Sequence, residues 1–137
     1  MKKIRVQAFE NKSSDYAIGD LLLNRLVLEI RNDGRLKLVT QGPDCTLEGS
    51  ILSYEEKIYS YDTANQVQDY QLRLTVAVIF TDLVSNQLLY ENKSLQLTEL
   101  YAVGEDSSAR FKTRAEAQAE LITSLFKTVI QNSLEAW

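Results

Sequence analysis

The side chains that could do chemistry are few, and their spacing does not suit catalysis. The sequence has no histidine, so the commonest general base near neutral pH is absent, and its one cysteine is Cys45. Glu55 and Glu56 are adjacent, and on a strand they would point to opposite faces, which excludes a paired-carboxylate site. Cys45 and the lone Gly49 are better explained by packing than by a nucleophile or a phosphate cradle. We therefore expect no catalytic residues, no metal site and no cofactor.

Tyrosines are the more suggestive feature. Tyr54, Tyr59, Tyr61 and Tyr70 cluster where two predicted strands approach their connection. Tyrosine combines apolar area with a hydroxyl group and is enriched at protein interfaces, so these four residues are the predicted partner interface. The alternative is that they simply cover the edge of a sheet, where tyrosine is common.

A second candidate surface is basic. Lys57, Arg110, Lys112 and Arg114 lie close to predicted loops, and they are the candidates for contact with a phosphate-bearing lipid. Charged loop residues are more often just solvated.

Length and charge limit the other possibilities. The 137 residues carry 15 basic and 19 acidic side chains, a net charge of −4, and 45% are hydrophobic. These values predict one globular domain over residues 1–137 and argue against a nucleic-acid partner, which usually requires a basic stripe. No stretch reaches the roughly 18 apolar residues of a transmembrane helix.

The first third of the chain predicts a β-α-β segment. Residues 3–9 alternate as a strand, a helix capped by Ser14 or Asp15 runs to about Asn32, and residues 35–39 alternate again. A glycine two residues after Asn32 suits the left-handed position that ends a helix.

Three long strands and a helix follow. The strands are predicted at residues 45–61, with a bend near 52–56, at 66–81, and at 88–101 after a turn at 85–86. A loop at 104–108, expected to be flexible, leads to the helix. The whole pattern predicts an α+β two-layer sandwich, with two helices packed on one face of a mixed sheet of four to five strands.

The last helix has a clear start. Thr113 and Glu116 fit a capping box, and the helix can run for about 23 residues. Trp137 is expected to anchor its end against the sheet. The predicted core stripe begins with small residues and consists of Ala115, Ala119, Ile122, Phe126 and Val129.

The order of these elements resembles the LptE family of lipopolysaccharide-assembly lipoproteins from Gram-negative outer membranes. The residues that carry the resemblance are 4–12 of the first strand, 22–28 of the first helix, 44–51 and 67–74 of the long strands, Asp82, and Ala115-Glu116-Ala117. The likeness spans essentially the whole chain, and it rests on order and spacing rather than on one motif.

The resemblance implies a non-enzymatic subunit on the periplasmic face of the outer membrane. It implies an N-terminal lipidated cysteine, a seat within the lumen of the LptD β-barrel, and contact between loop cations and lipopolysaccharide. Cys45 follows Gly42-Pro43-Asp44 rather than an apolar signal, so the lipidated cysteine is expected outside this sequence. Lys57, Arg110 and Lys112 are then the expected lipopolysaccharide-binding residues, because the first loop, residues 59–62, has no cation.

Two other functions stay open at this point. One is another periplasmic lipoprotein that binds or activates a cell-envelope enzyme. The other is a cystatin-like domain, or an enzyme, whose helix curls over a concave sheet to form a ligand pocket.

Overall fold

The structure, a computed structural model, describes residues 2–136. Its two layers are a mixed sheet and a set of helices packed on one face of that sheet. The elements in chain order are β1 (Lys2–Val6), β2 (Glu10–Asn11), α1 (Ala17–Asp33), β3 (Leu36–Leu38), β4 (Cys45–Tyr61), β5 (Val67–Asp82), β6 (Gln87–Ala102), α2 (Arg114–Phe126), a π-helical segment (Lys127–Gln131) and α3 (Asn132–Ala136). The predicted α+β sandwich is confirmed.

The sheet has six strands rather than four or five. Its order is β3-β1-β4-β5-β6, and the two-residue strand β2 also pairs with β4. Strand β1 pairs in parallel with β3 and with β4, and β2 pairs in parallel with β4, whereas β4, β5 and β6 form an antiparallel meander. The sixth strand, β2, is too short for alternation to predict it.

One face of the sheet forms the core. Alternate residues of β5, from Leu72 to Phe80, are fully buried against the helices. Helix α1 contributes four buried residues spaced four apart, which places them on one stripe of the helix. These residues are Ile18, Leu22, Leu26 and Ile30. The opposite face, here called the open face, carries cross-strand rows of side chains. One such row consists of Glu48 on β4, Ile79 on β5 and Glu91 on β6.

The ends of α1 follow the predicted chemistry. Asp15 Oδ1 accepts hydrogen bonds from the backbone amides of Ala17 at 2.9 Å and Ile18 at 3.2 Å, so its side chain caps two free donors. Gly34 ends the helix with φ of 79°, a conformation that side chains with a β-carbon rarely adopt.

Strand β1 is shorter than predicted. It ends at Val6, and the next residues leave the alternating pattern, so that Ala8 is exposed and Phe9 is buried. The alternation predicted over residues 3–9 would place Ala8 on the buried face with Ile4 and Val6, and this part of the prediction is wrong, because the larger Phe9 ring turns into the core instead.

The meander matches its prediction closely. Strand β4 spans the predicted residues, and its register against β5 shifts between Ile51 and Ser53, which is the expected bend. Asn86 adopts φ of 56° in the β5–β6 turn, as suits a residue type that tolerates the left-handed region.

The C-terminal helical region begins as predicted but buries a different stripe. Thr113 Oγ1 accepts from the amide of Glu116 at 3.1 Å and donates to its carboxylate at 3.0 Å. Ala115 is exposed and Ala119 only half-buried, whereas Ala117 and Leu121 are buried, so the predicted start of the stripe is wrong. Alanine is too weakly hydrophobic to fix the phase of a helix. Trp137 lies outside the described residues.

No helix within residues 2–136 is long and apolar enough to cross a membrane.

Candidate functional site

Most of the predicted site residues lie at one end of the sheet. This turn end contains the β4–β5 turn (residues 62–66) and the β6–α2 connection (residues 103–113). The parallel strands do not reach the turn end: the last of them along β4 is β2, which pairs with β4 only at Ser50 and Ile51. Within the described residues, β4 beyond Ile51 therefore has a strand on one side only. The turn end is a three-stranded extension of the sheet.

The four predicted interface tyrosines divide into two pairs. Tyr59 and Tyr61 are each 57% exposed and lie at the end of β4. Tyr54 and Tyr70 pack against the core instead. The Tyr54 hydroxyl accepts a hydrogen bond of 2.8 Å from Gln118 Nε2. Only the first pair is available for contact with a partner through most of its ring.

Tyr70 belongs to a small cluster that sequence reasoning missed. Its ring stacks on Tyr101, with 5.5 Å between ring centroids, and the Tyr101 hydroxyl donates to Glu56 Oε1 at 2.7 Å. Burial, followed by the hydrogen bond to the Glu56 carboxylate, raises the pKa of Tyr101 above its usual value. Arg114 approaches the same carboxylate at 3.7 Å. The register Ile58–Tyr70–Tyr101 brings the stacked residues together, and local periodicity cannot show which strands become neighbours.

Arg110, Lys112 and Arg114 form one basic segment, residues 110–114. Phe111 makes an isolated parallel bridge to Tyr101, which pins the middle of this segment to the outer edge of β6. The Arg110 guanidinium lies 4.7 Å from the centre of the Phe111 ring, and its nearest carboxylate, on Glu120, is 3.9 Å away. The side chains of Arg110 and Arg114 are 76% and 60% exposed. Their loose ion pairs leave both guanidinium groups accessible to an anion.

Lys57 lies apart from the basic segment. It stands on β4, in a row with Gln71 and Leu100 on the open face, and its Nζ pairs with Glu55 Oε2 at 3.0 Å. The three strand spacings between Lys57 and Phe111, at about 4.8 Å each, put them roughly 14 Å apart. The structure thus groups Arg110 and Lys112 with Arg114 rather than with Lys57.

The loop expected to be flexible is tied to the sheet. The Gln68 carbonyl accepts from the amides of Val103 and Gly104, each at 3.0 Å, and Gln68 Nε2 donates to the Asp106 carbonyl at 3.0 Å. Ser107 is buried. Sequence reasoning missed these contacts because a polar loop gives no periodic signal of what it packs against.

Cys45 has none of the features of a reactive thiol. It is fully buried in β4, and this burial, reinforced by the charges of Asp44 and Asp82, raises its pKa to about 12. Across residues 2–136, no group of three His, Cys, Asp or Glu side chains is placed to hold a metal ion.

A comparison with protein-family models identifies the family of the chain. The family model described as lipopolysaccharide-assembly, LptE, matches residues 1–133, which is nearly the full chain. The chain belongs to the LptE family. Membership assigns it to lipopolysaccharide assembly at the outer membrane. No curated protein matches this LptE-family chain by sequence.

Solved structures share the fold of the LptE-family chain at low identity. The PelC dodecamer from Paraburkholderia phytofirmans matches with a TM-score of 0.58 and 13% identity, over 93% of this chain and 88% of that one. Hypothetical protein CT253 from Chlamydia trachomatis gives 0.58 and 10%, over 95% and 98% of the two chains. Lipoprotein GNA1162 from Neisseria meningitidis gives 0.53 and 13%, over 98% and 99%.

Clefts lie on both sides of the sheet in this LptE-family protein, and one of about 580 Å³ is lined by Val27 and Arg31 of α1 and by Leu38 of β3. A cleft of about 410 Å³ lies on the open face, where its lining includes Glu48, Ala77 and Ile79. A pocket between a helix and a concave sheet would be on the other face. The cleft on the open face is therefore not the pocket that the cystatin-like alternative requires, and the cleft beside α1 lies at the edge strand β3 rather than over the centre of the sheet.

Proposed function

We propose that this protein is a non-enzymatic subunit that seats in the lumen of an LptD-type outer-membrane β-barrel and helps lipopolysaccharide to reach the outer leaflet. The family match over residues 1–133 carries the proposal. The buried, weakly acidic Cys45 supports it, because the chain's one thiol is poorly suited to nucleophilic catalysis.

The barrel-facing surface includes the turn end. Tyr59 and Tyr61 supply large, rigid and exposed aromatic area, whereas Tyr54 and Tyr70 pack against the core and contribute less accessible area. Such residues are enriched among those that dominate the free energy of binding at interfaces.

The lipid-facing surface is the basic segment. Arg110, Lys112 and Arg114 meet the phosphate groups of lipopolysaccharide, and Arg is well suited to phosphate because its planar fork can form two hydrogen bonds. Lys57 plays a lesser part, since it is already paired with Glu55 and lies on another strand.

The protein is held on the periplasmic face of the outer membrane by an N-terminal lipid anchor. Cys45 cannot carry that lipid in this fold, because its side chain is fully buried in β4. The anchor therefore belongs to a different cysteine.

Recovery of a partner from solubilised outer membranes tests the barrel contact. The tagged protein should retain a large β-barrel, and Tyr59→Ala/Tyr61→Ala should recover clearly less of it. Tyr16→Ala is the matched control, because Tyr16 is 91% exposed but precedes α1, and it should behave as the unmodified protein does. Recovery of a cell-envelope enzyme in place of a barrel would refute the proposal and favour the other lipoprotein function.

Titration with purified lipopolysaccharide tests the lipid contact. Arg110→Glu/Lys112→Glu should weaken binding about tenfold, which corresponds to about 1.4 kcal/mol. Lys12→Glu/Lys127→Glu makes the same change in net charge at other exposed positions and should have little effect. Equal losses in both double variants would mean that net charge, not the basic segment, governs binding.

A further inference from the structure

Asp69 occupies an unusual position beside the basic segment. It is only 7% exposed, and both of its carboxylate oxygens accept hydrogen bonds from serine hydroxyls. Ser60 on β4 donates to Oδ2 at 2.6 Å, and Ser107 in the β6–α2 connection donates to Oδ1. One buried carboxylate therefore joins β4, β5 and the connection.

The contact made by Ser107 continues toward the cations. Ser107 Oγ, while donating to Asp69, accepts a hydrogen bond of 3.0 Å from the amide of Ala109. The Ala109 carbonyl in turn accepts from Lys112 Nζ at 3.0 Å. This chain of hydrogen bonds ends at Lys112, which is one cation of the basic segment. It passes through Ala109, the residue before Arg110, which is another of these cations.

The segment is also fixed from its other side. The amide of Ala102 donates to the Phe111 carbonyl at 2.9 Å, at the edge of β6. Residues 107–109 and Phe111 are thus held separately, one by Asp69 and the other by β6. The backbone that carries Arg110 lies between two fixed points.

We infer that Asp69 and Ser107 are positioning residues, which hold the basic segment in place to bind the phosphate groups of lipopolysaccharide. The inference rests on the lipid contact proposed above. Cations on a backbone that is already ordered lose less conformational freedom on binding, so the segment binds more tightly than a mobile loop of equal charge. Asp69 and Ser107 act in this way without contacting the lipid themselves.

The test compares two serines that donate to the same carboxylate. Ser107→Ala removes the bond that reaches the connection, and it should weaken the affinity for purified lipopolysaccharide about threefold to tenfold. Ser107→Thr keeps a hydroxyl group and should restore the affinity. Ser60→Ala removes the bond from β4 and should leave the affinity unchanged.

Two further measurements separate positioning from general damage. Hydrogen exchange of the amides in residues 107–112 should quicken in Ser107→Ala, while recovery of the barrel stays as in the unmodified protein. Asp69→Ala removes both acceptor oxygens and should reproduce the lipid defect, whereas Asp69→Asn keeps an amide oxygen that can accept from Ser107 and should leave the affinity unchanged.

Each other outcome has a definite meaning. Unchanged affinity in Ser107→Ala, with normal binding by the unmodified protein, would overturn the inference and leave the proposed function intact. An unmodified protein that binds no lipopolysaccharide would refute the lipid contact, and the inference with it. Global unfolding of Ser107→Ala would also overturn the inference, because the bond would then serve the fold and not the segment.

Discussion

Gly49 lies directly against the ring of Phe9. A β-carbon built on Gly49 would be 2.7 Å from Phe9 Cε2, and it would also collide with the carbonyl oxygen of Ala77 on the neighbouring strand. Phe9 belongs to the link between β1 and β2, and it is buried in the core. The absence of a side chain at residue 49 is what lets this link close over β4.

Gly49→Ala should therefore destabilise the protein. The backbone of β5 cannot easily move away, so we expect the free energy of unfolding to fall by about 1–3 kcal/mol, as for other overpacked core positions. Chemical denaturation measures this change.

Gly19→Ala is the control for that experiment. The nearest atom to its added β-carbon is Asn11 Nδ2 at 3.5 Å, an ordinary contact. Because Gly19 lies in α1, alanine should stabilise the helix by up to about 1 kcal/mol. A loss of stability as large as that of Gly49→Ala would show that the steric account is wrong.

Thr113→Ala should lower the free energy of unfolding by about 1 kcal/mol, because it removes the acceptor for the Glu116 amide at the start of α2. Thr113→Ser retains the oxygen, so its free energy of unfolding should fall by no more than a few tenths of a kcal/mol. Thermal unfolding of the two variants distinguishes them, and equal losses would contradict the capping role.

Alkaline pH should destabilise the protein partly through Cys45. The unfolded thiol loses its proton near pH 9, whereas the folded thiol keeps it to about pH 12. The folded state binds more protons in this window, so the stability contributed by the neutral thiol is complete below pH 9 and is lost as the pH rises toward 12. Tyr54 and Tyr101, whose pKa values are also raised, act in the same direction.

Melting temperatures between pH 8 and 11 test this prediction in the unmodified protein and in Cys45→Ala. The variant should show a shallower decline, because one of the linked groups has been removed. Parallel declines would show that Cys45 does not contribute to the pH dependence.

The chain should unfold as a single unit. The helices and the strands share one hydrophobic core, in which Leu26 of α1, Phe80 of β5 and Ile122 of α2 are buried together. Far-UV and near-UV circular dichroism should then report coincident denaturation transitions. Two separated transitions would contradict the single domain predicted for residues 1–137.

Strong local signals in the sequence predicted the fold well. Alternation fixed β4 and β5 to within a residue at each end, and Gly34 marked the end of α1 through its need for a positive φ. The prediction of which face of α2 is buried was wrong at its start, because Ala115 and Ala117 are alike in hydrophobicity and only tertiary packing distinguishes them.

The site was predicted less completely. The sequence indicated the exposed residues Tyr59 and Arg110 and named Arg114 with them, but it did not show that Lys57 lies three strand spacings from the basic segment. Such groupings depend on strand order and on how a connection folds back, as Asp69 and Ser107 do across 38 positions. Local patterns contain no information about contacts of that kind.

Photo-crosslinking in cells tests the central claim most directly. A photoreactive amino acid placed at Tyr59 or Tyr61 should form adducts with a large outer-membrane β-barrel, and the same group at Tyr16 should form far fewer. Adducts at Tyr59 and Tyr61 with a cell-envelope enzyme, and none with a barrel, would contradict the account.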